Sequence, residues 1–397
     1  MTVESTVTRQ PARAAFYNDP KVRSIVYQVG LCLIVVLLVF GAANNAIENL
    51  QRAHIASGFG FWDQVAGFDI SQTLINYSAA VSTYGQAFWV GLLNTLLVAV
   101  IGIIFATIVG FAVGIARLSR NWLLVKVATG YVELVRNIPL LLQLLFWYNG
   151  VLKVLPDIRD SHKLIGGGLL NNRGLYIARP LPQPGFGWVE IIFAIGVVAS
   201  IAFYYWARRR QTATGQQAPV LWVTLGLVVA LPLVVAAIMG FPIQFEMPKL
   251  GRFNIGGGLE LQPEFVALLV GLVIYTGAFI AEVVRAGIRA VSHGQTEAAY
   301  SLGLRAGPTL RLVIVPQAMR VIIPPLTSQY LNLTKNSSLA VAIGYPDLVQ
   351  VFTGTVLNQT GQAVEVVAIT MLVYLTISLT TSIAMNIFNN RMALVER

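Results

Sequence analysis

Five charged side chains lie inside long apolar stretches of this sequence: Glu133, Arg136, Glu282, Arg285 and Lys335. A charge in hydrocarbon costs about 3 kcal/mol or more unless it is paired or wetted. Each therefore needs a partner, a ligand or a water-filled path. Glu133 and Arg136 are three residues apart and share a helix face, as do Glu282 and Arg285. That spacing predicts two local ion pairs. Lys335 has no acid nearby and opens the polar run Lys335-Asn336-Ser337-Ser338. Two readings stay open for Glu282: it lines a substrate path and meets an ammonium group, or it is a salt bridge holding a helix bundle. Gln143, Tyr275, Thr276, Lys335, Asn336 and Ser337 are equally candidates for the lining of a passage. Ordinary helix-helix hydrogen bonding is the alternative for them.

Bond-breaking chemistry finds no support. There is no phosphate-cradling GxxxxGK[ST] loop. His54, His162 and His293 stand far apart in polar segments, and the single cysteine, Cys32, sits within an apolar run. No nucleophile-base set and no metal cluster follows from them. The chain is expected to bind no cofactor and to catalyse nothing itself.

The elements that must position these groups are membrane helices. Of 397 residues, 56% are hydrophobic and only 11% charged, against roughly 25% charged in a soluble domain. Eight segments approach the ~20 apolar residues needed to cross a bilayer: 24–44, 88–116, 129–152, 188–207, 220–240, 264–288, 318–343 and 363–388. The expected class is an all-α polytopic membrane protein. A signal peptide would have a shorter basic region and a shorter apolar core, so the first span is read as retained. Pro324, Pro325 and the 335–338 polar run predict a broken or kinked helix in the seventh span.

The net charge of +10 reads as topology signal, not as a nucleic-acid footprint. Segments 1–23, 117–128, 208–219, 285–320 and 389–397 hold 17 Lys and Arg, against 8 in the alternate set 45–87, 153–187, 241–263 and 344–362. The bias places both termini in the cytoplasm. The string Ile-Gly-Gly-Gly-Leu occurs twice, at Ile165–Leu169 and Ile255–Leu259, and brackets the fourth and fifth spans. An inserted helical hairpin and chance similarity of Gly-rich loops both account for it.

The segment 285–320 falls on the cytoplasmic side of that topology and predicts two short helices. Thr296 is a plausible N-cap with Glu297 at the positive end of the dipole. Ala298 and Ala299 permit close packing, and Gly303 suits a helix C-terminus. Pro308 fits the first turn of a second helix, which should stop at Pro316. Glu297-Ala298-Ala299, Gly303, Val313, Val315 and Pro316 resemble the EAA loop of permeases in binding-protein-dependent ATP-binding-cassette importers. All spacings match, with Val at the pattern's Ile and Leu positions.

Further segments resemble the polar amino-acid uptake subfamily. They are Tyr131–Arg136 with Pro139-Leu140-Leu141 and Gln143, then Tyr275–Arg285, then Leu333–Leu339. The extra N-terminal span and the insertion with Asn171-Asn172-Arg173-Gly174-Leu175-Tyr176 most resemble the general L-amino-acid permeases of the Aap and Bzt type.

The resemblance implies a type I importer permease core with a cytoplasmic coupling helix within 291–316. In that helix Glu297, Ala298, Ala299, Gly303, Val313 and Pro316 would meet an ATPase dimer that holds the ATP and magnesium. It further implies a second permease, a paralogue rather than a copy, a periplasmic amino-acid-binding protein and residence in the bacterial inner membrane among lipid. The organisation expected is a cytoplasmic segment 1–23, an added span and loop 24–87, core 88–152, an insertion 153–260, core 261–390 and a tail 391–397. Another polar substrate such as an opine or an organic cation, or a secondary transporter or channel run by an ion gradient, is the alternative.

Overall fold

The computed structural model describes residues 20–52, 57–251 and 254–392. The segment 1–19, residues 53–56 with His54, residues 252 and 253, and the tail 393–397 lie outside the described residues, and with them most of the expected cytoplasmic segment and tail. Among the described residues, seven helices are long and apolar enough to cross a membrane. The first three helices are α1 (Pro20–Arg52), α2 (Tyr84–Ala116) and α3 (Trp122–Asn137). The start of α2 is set by a capping box. Thr83 Oγ1 accepts from the Gln86 amide, and Gln86 Oε1 accepts from the Thr83 amide.

The expected span 129–152 is divided between two shorter pieces. α3 ends at Asn137, and α4 (Leu140–Leu145) resumes after Pro139 and runs into a π-helical stretch, Phe146–Leu152. Proline pushes the preceding residue out of helical geometry, and Ile138 is extended, with φ −100° and ψ 128°.

The connections on either side of the fourth and fifth expected spans carry short strands that periodicity did not predict. They are β1 (His162–Lys163), β2 (Leu169–Asn171), β3 (Gly174–Ile177) and β4 (Arg179–Pro182). Next comes a helical hairpin of α5 (Phe186–Thr214), α6 (Val220–Leu225) and α7 (Leu231–Ile238). Beyond it lie β5 (Ile243–Glu246), β6 (Lys249–Leu250), β7 (Ile255–Gly256) and β8 (Leu259–Leu261). β4 pairs antiparallel with β5, Pro182 facing Ile243, and β3 pairs with β8. The hairpin thus leaves and returns at one place. The two glycine strings form turns beside these strands, with Gly166, Gly167, Gly257 and Gly258 all at positive φ.

The core is built by α2 against α8 (Pro263–Arg289). Val98, Gly102, Ala106, Gly110 and Gly114 recur every fourth residue along α2 and are all buried. A Cβ at Gly110 would run into Ile280, and one at Gly114 would lie 2.8 Å from the Ala281 carbonyl oxygen. Small residues let the two backbones touch, which is how helices associate where lipid gives no hydrophobic drive.

After α8 come α9 (His293–Ser301), α10 (Ala306–Thr309) and, through a π turn at Leu310–Ile314, α11 (Val315–Asn336). Two local expectations fail here. Thr296 lies inside α9, which starts after Ser292. Pro316 does not end the second helix. The Val315 amide bonds Leu310, five residues back, so the widened turn makes room for the proline ring. A π turn at Gly226–Ala230 precedes Pro232 in the same way. α11 continues through Pro324 and Pro325, and the change comes at Ser337, where it tightens to a 3-10 helix ending at Gly344. A π stretch at Val349–Val356, α12 (Leu357–Thr360) and α13 (Ala363–Met392) complete the chain.

Candidate functional site

Three neighbouring features lie along α8 and α11. The first is α9. Its C-terminus closes as a Schellman turn: Gly303, at φ 79°, donates its amide to Tyr300, and Leu304 donates to Ala299. Glu297, Ala298 and Gly303 are exposed, Ala299 is buried, and Val313 and Pro316 are half-buried. Tyr300 and Leu302 also face outward, Leu302 at 82% exposure. His293 Nδ1 lies 2.9 Å from Glu297 Oε1. Gln317 Nε2 donates to Gln295 Oε1 at 3.2 Å, tying α9 to the first turn of α11.

The second feature is an ion cluster around Glu282. Its carboxylate accepts hydrogen bonds from Arg117, at the C-terminus of α2, and from Arg285. Arg136 Nη1 lies 3.9 Å from Glu282, and Arg117 Nη2 lies 3.9 Å from Glu133. The expected Glu282–Arg285 contact is present, but Glu133 and Arg136 each reach across to another helix instead of to one another. Helical spacing permits local pairs, yet α3 packs its charged end against α2 and α8, and the nearest opposite charges are there. Arg117 is nearly fully buried, and its Nε has no hydrogen-bond partner among the described residues. Three guanidiniums surround two carboxylates, so the cluster is cationic on balance.

The third feature is a cavity of about 290 Å³ lined by Tyr275, Thr276, Phe279, Gln329, Asn332 and Asn336. It is at the lower edge of the ~300–1,000 Å³ typical of small-molecule sites. The lining joins two aromatic faces to amide groups that both donate and accept. Phe279 borders the ion cluster, since the Arg136 guanidinium sits 5.1 Å from its ring centroid.

Of the residues singled out from sequence, Tyr275, Thr276 and Asn336 meet in this cavity, and Glu282 follows Phe279 one turn further along α8. Gln143 is placed elsewhere. It is buried and donates to the Val135 and Ile138 carbonyls, which the Pro139 break leaves free. Ser337 is buried and donates to the Thr334 carbonyl, and Lys335 is exposed. Phe279, Gln329, Asn332 and Arg117 escaped sequence reasoning. Gln329, Asn332 and Asn336 recur at helical spacing in an apolar span, a legible signal of one polar face.

Residues 209–394 match the family described as binding-protein-dependent transport system inner membrane component. The chain is 55% identical over 97% of its length to the general L-amino acid transport system permease protein AapQ of Rhizobium johnstonii, covering 96% of that protein. It is 51% identical over 96% of its length to the putative amino-acid ABC transporter permease protein YhdX of Escherichia coli, covering 97% of it. It is 42% identical over 96% of its length to the glutamate/glutamine/aspartate/asparagine transport system permease protein BztB of Rhodobacter capsulatus, covering 96% of it.

Proposed function

The chain belongs to the family of inner-membrane components of binding-protein-dependent transport systems, and from that premise we propose that it is the permease subunit that carries L-amino acids inward, driven by ATP hydrolysis in a separate subunit. The permeases it matches at 55% and 42% identity carry general L-amino acid and glutamate/glutamine/aspartate/asparagine names. Broad specificity for this chain follows those names.

One observation carries the mechanism: the exposed helix α9 and the cavity lie at the two ends of the same rod. α11 runs from its hydrogen bond with α9 at Gln317 to the cavity residues Gln329, Asn332 and Asn336. The distance from Gln317 to Asn336 is about 28 Å at 1.5 Å per residue. A cytoplasmic ATPase dimer that seats on Glu297, Ala298 and the Gly303 turn would tilt α11 as it closes, and the tilt would open or shut the cavity. Such coupling requires the motor to bind the two states with different affinity.

In the cavity the amide groups would hold the substrate's ammonium and carboxylate, with Arg136 near the carboxylate over Phe279. The Glu282 cluster, which joins α2, α3 and α8, would act as the inner latch. Both termini lie in the cytoplasm in this reading, the second permease is a paralogue, and a periplasmic binding protein delivers the substrate to the strand-bearing side. This chain holds no nucleotide or metal of its own.

The test is uptake of a labelled amino acid into proteoliposomes holding the complete complex, with binding protein outside and ATP inside. Uptake should stop without ATP. Full transport on an ion gradient alone would overturn the reading.

A further inference from the structure

The α5–α7 hairpin presents a feature that transport does not use. From Ile191 to Phe245 the chain has no acidic residue and three basic ones, Arg208, Arg209 and Arg210, which are consecutive. They follow the aromatic run Phe203, Tyr204, Tyr205 and Trp206 after a single alanine, Ala207. Trp188, near the other end of α5, and Trp206 are both outward-facing. Their 18-residue spacing spans about 27 Å at 1.5 Å per residue, close to the ~30 Å hydrocarbon thickness of a bilayer. Tryptophans at both ends of a span mark the two interfaces. The arginines therefore emerge about 3–6 Å beyond the inner aromatic boundary, at headgroup depth. Trp222, on the returning helix, is exposed close to the same end.

The guanidiniums are kept available. Thr212 and Thr214 hydroxyls donate to the Arg209 and Arg210 carbonyls, and Gly215 donates its amide to Gln211, so the helix end needs no arginine side chain. Arg210 lies 5.4 Å from the Trp206 ring centroid and donates to the neutral Gln216. Among the described residues, no carboxylate pairs with any of the three. The hairpin packs chiefly on itself, with Gly196 of α5 pressed against the Leu227 carbonyl. Its remaining faces are apolar and exposed, including Phe193, Val198, Leu221 and Leu233.

We propose that Arg208, Arg209 and Arg210 bind the phosphate headgroups of anionic phospholipids and fasten the hairpin to one leaflet. Guanidinium suits phosphate through paired N–H donors. Juxtamembrane basic residues gain from anionic lipid in proportion to their number. The occupant is a lipid because the acyl chains find the exposed apolar faces of α5 and α6 beside the headgroup contact.

The test is native mass spectrometry of the purified full-length permease titrated with phosphatidylglycerol, with phosphatidylcholine as the comparison. In R208Q/R209Q/R210Q the affinity for phosphatidylglycerol should fall at least tenfold while that for phosphatidylcholine stays level. R208K/R209K/R210K keeps the charge that orients the hairpin and should stay within about threefold of the wild type. Should the glutamine triple variant fail to insert, the single variants R208Q, R209Q and R210Q are read instead, each expected to lose about two- to fivefold. Equal phosphatidylglycerol affinity in the wild type and every glutamine variant, or equal affinity of the wild type for the two lipids, overturns the proposal.

Discussion

Arg117 and Glu282, 165 residues apart in sequence, hydrogen-bond where the end of α2 meets α8. The contact draws on two groups that are costly to separate, because a buried guanidinium left without its carboxylate is an uncompensated charge. Replacing Glu282→Gln should destabilise the folded permease by about 1–3 kcal/mol, below the usual cost of breaking a fully buried pair because Glu282 is partly solvated. Unfolding in graded detergent would measure it. In a double-mutant cycle with Arg117→Gln, a coupling energy indistinguishable from zero would break the assignment.

The turn at Gly303 should be more sensitive than its exposure suggests. A β-branched residue at φ 79° is strained by about 1–2 kcal/mol, and the strain falls on the joint between α9 and α10. Gly303→Val and Glu297→Lys should both reduce ATPase co-purification and uptake together, with normal amounts of permease in the membrane. If both variants retain wild-type ATPase association and uptake, α9 has no coupling role.

Asn332 and Gln329 offer their amides to the cavity without another assigned task. Asn332→Ala should raise the KM for uptake about 10- to 100-fold, the equivalent of one lost hydrogen bond to a charged group. ATPase association should be unchanged. A loss of kcat with unaltered KM would instead point to a role in the conformational step.

Asp347, in the connection between Ile343 and Ala363, is fully buried. Burial raises its carboxyl to about 7, opposed by hydrogen bonds from the Gln350 amide and the Tyr374 hydroxyl. The folded state therefore binds a proton that the unfolded chain releases near pH 4. The associated stability is complete below that pH and is lost as pH rises through about 7. Thermal unfolding between pH 5 and 8 should show stability declining with pH, and Asp347→Asn should flatten the slope. A variant as steeply pH-dependent as the wild type would assign the titration to another group.

Seven of the eight expected spans and the presence of a helix at α9 were readable from residues alone, since a bilayer imposes a length filter and the 297–316 motif has fixed offsets. The Glu282–Arg285 pair was also readable, being one helical turn. Its bond to Arg117 was not, because only the packing of α2 on α8 brings the two together. Gln143 misled for a related reason: a polar side chain in an apolar run looks the same whether it faces a passage or repairs a proline break. The strands of two to four residues are too short to show a period. The π turns before Pro232 and Pro316 are likewise invisible to any reading that treats proline only as a stop.

The pairing of Pro182 with Ile243 has a consequence for how such a chain can change. Sixty residues separate these two neighbours, and both ends of that excursion are already side by side. A loop of two residues would bridge the same gap. The excursion could therefore be lengthened, trimmed or deleted without parting the two strand ends that flank it, which makes this junction the natural place to graft or excise a membrane appendage.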